Sequence, residues 1–155
     1  MQKNNNINNF NLVVIGAHHG YWLENEVKKC SGKILLIEPV VYNFNQLKNK
    51  FKKYKNIIFE NIAINEKNEV KDFYYVLESS VIKLKKHWAS GIGSFSKDHI
   101  LKHKTKRFQI AESDIKCVRI KTITFDNLIT KYQIKSINKI IIDTEGFDYK
   151  IIKSI

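Results

Sequence analysis

Cysteine is scarce in this chain, and so is arginine. The two cysteines, Cys30 and Cys117, lie far apart and form no ligand spacing. That excludes a disulfide-stapled scaffold and a cysteine-based zinc module, and points to free thiols in a reducing cytoplasm. Of 27 basic residues only Arg107 and Arg119 are arginine. The net charge of +12 is therefore carried by lysine. A surface built to read nucleic acid draws more on the bidentate geometry of arginine, so no dedicated nucleic-acid role is expected. Abundant lysine, asparagine and isoleucine fit an AT-rich coding sequence instead. No apolar run approaches the ~20 residues that cross a bilayer. The asparagine-rich start has no apolar segment, so neither signal peptide nor membrane anchor is expected there.

The 155 residues, 43% of them hydrophobic, suffice for one domain with a real core. Residues 12–15 form a short, wholly apolar strand that runs into Gly16-Ala17-His18-His19-Gly20. A helix over residues 21–29 follows, with Trp22, Leu23, Glu26 and Val27 spaced for one side, and Gly32 is a plausible stop. A second apolar strand, residues 34–37, ends in Glu38-Pro39. Pro39 suits the first turn of a new helix. In that helix Val40, Phe44, Leu47 and Phe51 recur at i, i+4, i+7 and i+11. Residues 56–64 read as a third strand.

Alternating strand and helix with short connections predicts an α/β fold, a doubly wound and mainly parallel sheet. Continuous apolar runs fit strands covered on both faces. Residues 73–77 read as an edge strand or hairpin partner. Residues 78–113 show no clean periodicity and read as an irregular insertion, with some helix near 97–104. Residues 117–123 alternate as a half-exposed strand. Thr124 caps a helix to about Tyr132, and residues 140–142 are another buried strand. A last helix begins at Phe147. The expected organisation is a single domain over residues 1–155, with residues 1–10 a polar lead-in. A doubly wound domain normally carries more strands after this point. The sheet is thus expected to be truncated at its C-terminal end, with a short edge open to homo-oligomer formation.

Three strand ends carry the chemistry. Gly16 to Gly20 is spaced G-x-x-x-G, which permits positive φ and close backbone approach, although an ordinary strand-to-helix turn has the same look. Glu38 stands 22 positions after Gly16 at the end of the next strand. A carboxylate there needs donors, and two adjacent ribose hydroxyls would serve. Asp143 and Glu145 follow three isoleucines, again at a carboxyl end. In an open α/β sheet that edge is the ligand edge. His99 and His103 are four apart, as on one helix face. No carboxylate motif accompanies them, so they read as two solvated helix histidines and no metal is expected.

Gly16-Ala17-His18-His19-Gly20, Glu38-Pro39, Asn61-Ile62-Ala63, the segment 91–95, Lys121-Thr122-Ile123-Thr124-Phe125-Asp126 and Ile142-Asp143-Thr144-Glu145-Gly146-Phe147-Asp148 occur in that order. Together they resemble the FkbM family of S-adenosylmethionine-dependent methyltransferases, from about residue 11 to 155. The resemblance implies a class I methyltransferase, a Rossmann-like fold. It implies that Gly16, Ala17, His18 and Gly20 form the turn under the methionine part of S-adenosylmethionine. Glu38 would hold the ribose, and Asn61 to Ala63 would lie beside the adenine. Asp143 and Glu145 would stand where methyl donor and acceptor meet, as catalytic residues. The implied acceptor is a hydroxyl oxygen of a sugar, another glycan or a small secondary metabolite. The chain departs from the family at Val14, where an acid is usual.

Either Asp143 or Glu145 would be the general base or orienting group, with desolvation making it a stronger base, and Asp143 would alternatively contact the donor. His18 lies within the cofactor turn and suits that role less. Two other readings compete. A nicotinamide-dependent oxidoreductase also uses an acid on the second strand, but the G-x-G-x-x-G spacing is absent. A non-catalytic binding module or inactive fragment would fit Val14 and the basic surface.

Overall fold

The structure, a computed structural model, describes residues 8–103, 109–153 and 155. Strand β1 (Asn9–Ile15) lies at the centre of the main sheet, flanked in parallel by β2 (Lys33–Ile37). Beyond β2 runs β3 (Ile57–Glu60), also parallel. On the other side of β1 the short strands β7 (Ser136–Ile137) and β8 (Ile140–Ile142) pair with its beginning and its end. The strand order is β3-β2-β1-β7, with β8 also on β1.

Both faces of this sheet are covered, as its unbroken apolar runs require. Leu12, Val14, Ile34 and Leu36 point to one side. There they meet Val27 of α1 (Glu24–Lys29) and Leu47 and Phe51 of α2 (Val41–Phe51). Phe10, Val13, Ile15, Leu35 and Ile37 point to the other. Phe125 and Leu128 of α5 (Phe125–Tyr132) and Ile151 of α6 (Asp148–Ile152) cover them. The doubly wound, mainly parallel α/β architecture expected from the sequence is the one observed.

Several elements differ from expectation, each for a local reason. The first strand starts at Asn9, and Phe10 is buried, so the polar lead-in is shorter than ten residues; residues 1–7 lie outside the described residues. The helix expected over 21–29 is regular only from Glu24, because the glycine turn runs on through a Leu23 N–H to Gly20 carbonyl contact of 3.2 Å. The single strand expected over 56–64 is two. β3 ends at Glu60, and β4 (Ala63–Ile64) joins a second sheet. The Asn61 side chain takes up the break, donating to the carbonyls of Glu38 (2.8 Å) and Pro39 (3.0 Å).

The second sheet has order β4-β6-β5. β5 (Val70–Val76) and β6 (Ile115–Ile123) are antiparallel and bracket the segment read as an irregular insertion. That segment holds α3 (Glu78–Leu84), a 3-10 turn (His87–Gly91) and α4 (Lys97–Leu101). Elements of five to seven residues are too short to display a helical period. They still bury a cluster of their own, with Ala89, Ile92, Ile100 and Ile110 against Val76. The helix expected to residue 104 ends at Leu101, and residue 104 lies outside the described residues. Thr124 caps α5 as expected, accepting from the Asn127 N–H at 3.2 Å. Cys30 and Cys117 are free. Among the described residues no helix is long and apolar enough to cross a membrane.

Candidate active site

The register of the parallel sheet aligns its carboxyl ends. Ile15 pairs with Ile37 on one side and Ile142 on the other, and Ile37 pairs with Glu60. The next residues, Gly16, Glu38, Asn61 and Asp143, therefore emerge side by side along one edge. Four residues far apart in the chain meet because each follows a strand whose last residue is in register with its neighbour's.

Gly16 has φ +85° and would be intolerant of any side chain: a Cβ there would stand 1.9 Å from the Asp143 carbonyl oxygen. The turn is tied to β2 by the N–H groups of Gly16 (3.0 Å) and Ala17 (2.9 Å), both donating to the Ile37 carbonyl. Glu38 is buried, and both carboxylate oxygens are held by its own chain. Oε2 accepts from the His18 N–H at 2.8 Å, and Oε1 from the Val40 N–H at 2.9 Å. Burial outweighs those bonds and pushes its pKa up to about 7.

The His18 ring turns away from this edge toward the insertion. Its Nε2 lies 2.6 Å from Ser90 Oγ, and that hydroxyl donates its one hydrogen to the His87 carbonyl at 2.7 Å. Ser90 can then only accept, so His18 carries its proton on Nε2. Burial, with His19 beside it, lowers the His18 pKa to about 4, and the ring is neutral at physiological pH. Its backbone sits at φ +52°.

Over the carboxyl edge lies a cavity of about 440 Å³, between the main sheet and the insertion. Gly16, Glu38, Ala63, Asp143 and Glu145 line it. The other expected residues stand behind that wall. Ala17 is wholly buried in the apolar cluster with Leu23 and Val27. Gly20, at φ +77°, accommodates Leu47 and Phe51, whose atoms would lie 2.6 Å from a Cβ. His18 contributes its N–H to Glu38, and Asn61 clamps the end of β2. Val14 is fully buried among Leu36 and Ile141, in register with both, and offers no polar group.

Asp143 and Glu145 occupy a tight turn with Glu145 at φ +50° and Gly146 at φ +98°. Asp148 Oδ1 holds the turn, accepting from the Thr144 N–H (2.7 Å) and hydroxyl (2.8 Å). Burial raises the pKa of Asp143, helped by Asp148, and that of Glu145, helped by Asp143. Both acids are thereby made better proton acceptors.

The far wall was not foreseen. Phe95 packs edge-on against Phe73 and Phe147, each with ring centroids 5.3 Å apart. Lys71, Lys102 and Lys150 add cationic groups to the lining. Lys71 and Phe73 stand two apart on β5, so strand alternation alone assigns them to one face. The histidines also differ from expectation. His99 is half-buried, its Cε1 only 3.0 Å from where a Gly146 Cβ would be, and His103 Nε2 lies 3.9 Å from Glu145 Oε2. The carboxylate missing from their own stretch of sequence is supplied by the turn after β8.

No curated protein and no solved structure matches the chain, so neither adds a relative or a fold neighbour. The family model described as the Methyltransferase FkbM domain matches residues 15–154, which spans the glycine turn, Glu38 and the turn bearing Asp143 and Glu145. With nearly its whole length inside that match, the chain belongs to the FkbM methyltransferase family.

Proposed function

We propose that this protein transfers a methyl group from S-adenosylmethionine to a hydroxyl oxygen, on a sugar or another small hydroxylated molecule. The observation that carries this reading is one cavity with Gly16 and Glu38 on one side and Asp143 and Glu145 on the other. Its volume of about 440 Å³ falls within the range of small-molecule and cofactor sites. The donor set fits the cofactor. Glu38 accepts a backbone N–H on each oxygen and has the Asn43 side chain beside it, and a carboxylate's four lone-pair sites leave room for a ribose hydroxyl. Ala63, Ile64 and Val40 give an apolar surface for a purine. The lining offers carboxylates (Glu38, Asp143, Glu145) to the cationic sulfonium and lysines (Lys71, Lys102, Lys150) to the cofactor's own carboxylate.

When bound, the cofactor supplies a methyl group already activated on sulfur, so no covalent enzyme intermediate is needed. The protein's part is alignment, which is worth several kcal/mol when reacting atoms are held in line. Asp143 or Glu145 takes the hydroxyl proton, its basicity raised by burial. The Phe73, Phe95 and Phe147 rings offer flat apolar faces to the C–H side of a sugar-like acceptor.

Glu38 serves a nicotinamide dinucleotide equally well, so the competing enzyme is an oxidoreductase. Incubation with methyl-labelled S-adenosylmethionine and a panel of polyols, sugars and phenols separates the two. Label transferred to oxygen by the wild type, and reduced by at least about a hundredfold in Asp143→Asn or Glu145→Gln, is the expected result. Hydride transfer from NADH to a carbonyl acceptor, with no label transferred, would contradict the proposal.

A further inference from the structure

We propose that His99, His103 and Glu145 form a site for a divalent first-row transition cation, of the zinc type, in the cavity wall. One nitrogen from each ring and one carboxylate oxygen lie within 4.8 Å of one another. Ligands each about 2.1 Å from one ion stand roughly 3.4 Å apart, so closure needs side-chain adjustments on the order of 1 Å. Two imidazoles and a carboxylate are the donor set such ions take, and three protein ligands leave a coordination position open.

Two independent features point to an ion rather than to a simple contact. His103 Nδ1 lies 2.9 Å from the His99 carbonyl, which can only accept, so Nδ1 carries the hydrogen. That is the backbone bond that orients a metal-bound histidine, and it leaves Nε2 free to coordinate. Nε2 faces Glu145 Oε2 at 3.9 Å, too far for a hydrogen bond and close enough to share an ion. Second, His99 Nε2 is buried and makes no hydrogen bond among the described residues. A buried polar atom without a partner is costly, and it stands at this cluster. Glu145 is held in the left-handed backbone region, φ +50°, as its carboxylate turns toward the histidines.

His99 and Glu145 both line the cavity, so the open position faces the space assigned to the acceptor. An oxygen ligand, such as an acceptor hydroxyl, would take it. That role rests on the methyl-transfer reading; ion binding itself does not. Glu145 would then hold the ion and leave Asp143 as the base.

The test uses the full chain, stripped of metal and titrated with cobalt(II) chloride by visible absorption and with zinc chloride by calorimetry. One equivalent of each should bind, cobalt giving the d–d bands of a low-coordinate N/O site. Affinity should fall at least about tenfold in His103→Gln and in Glu145→Gln, with thermal unfolding close to wild type. His87→Gln, an exposed histidine outside the cluster, should bind as wild type. No d–d bands and no stoichiometric zinc binding, or equal binding by wild type and His103→Gln, or equal loss in His87→Gln, would overturn the proposal. S-adenosylhomocysteine binding by the same variants reports on the methyl-transfer reading separately.

Discussion

At the residue scale Glu38 is the most consequential side chain of the site. Its carboxyl pKa rises from 4.5 to about 7 in the folded protein because it is buried. Between those values the native state holds a proton that the unfolded chain has lost. Folding stability should therefore fall as pH rises from 4.5 to 7, by about 3 kcal/mol, and level off above 7. Chemical denaturation across that range checks it, and Glu38→Gln should flatten the slope. Two ribose hydroxyls donating one to each oxygen favour the ionised form, since a protonated carboxyl keeps only part of its acceptor capacity. S-adenosylhomocysteine affinity should thus increase by up to about tenfold per unit of pH below 7 and become constant above it. Gly16 gives a second residue-scale test. Gly16→Ala drives a Cβ to 1.9 Å from the Asp143 carbonyl at positive φ and should cost about 3 kcal/mol or prevent folding. Gly91→Ala meets only His18 ring atoms at 3.7 Å and beyond, and should shift stability by less than about 0.5 kcal/mol. Gly16, Glu38, Asp143 and Glu145 were legible because strand-end position is written in the apolar runs before them. The structural duties of Ala17, Gly20 and Asn61 were not, since each depends on a neighbour distant in sequence: the β2 end, α2, and the Glu38 and Pro39 carbonyls.

At the element scale the main sheet was readable and the second sheet was not. β1, β2 and β8 are apolar runs that only a doubly covered sheet can bury. β3 and β4 lie in a stretch, residues 57–64, that is apolar apart from Glu60 and Asn61, and two polar residues do not by themselves mark a break. It arises because Asn61 is drawn to the end of β2 and Ala63 pairs with Thr122 of β6. Asn61→Ala removes both hydrogen bonds from an exposed amide and should cost about 1 kcal/mol, read by thermal unfolding. Because those carbonyls fix the Glu38 backbone, cofactor affinity should fall with it. Leu128, wholly buried between α5 and the sheet, should cost about 2–5 kcal/mol as Leu128→Ala. The insertion escaped sequence reading for a different reason. Its short helices pack on β5 through single residues such as Ile92 and Ile100, which leave no repeating signal.

At the scale of the whole molecule the chain carries a net charge of +12, almost all of it on lysine. Its ion pairs, such as Lys28 with Glu24 and Lys139 with Glu26, are solvent-exposed and individually weak. Like-charge repulsion should outweigh them, so raising ionic strength should raise the melting temperature by a few degrees. Calorimetric scans in low and high sodium chloride decide the sign. At the carboxyl edge Glu38, Asp143 and Glu145 line a cavity that Lys71, Lys102 and Lys150 also line, so charges of both signs face a ligand there. The central claim is that this edge binds S-adenosylmethionine through Glu38. Isothermal titration with S-adenosylhomocysteine and with NAD tests it most directly. S-adenosylhomocysteine should bind with micromolar affinity, lost in Glu38→Ala while the variant stays folded; binding of NAD alone, or of neither ligand, would contradict a Glu38-held S-adenosylmethionine.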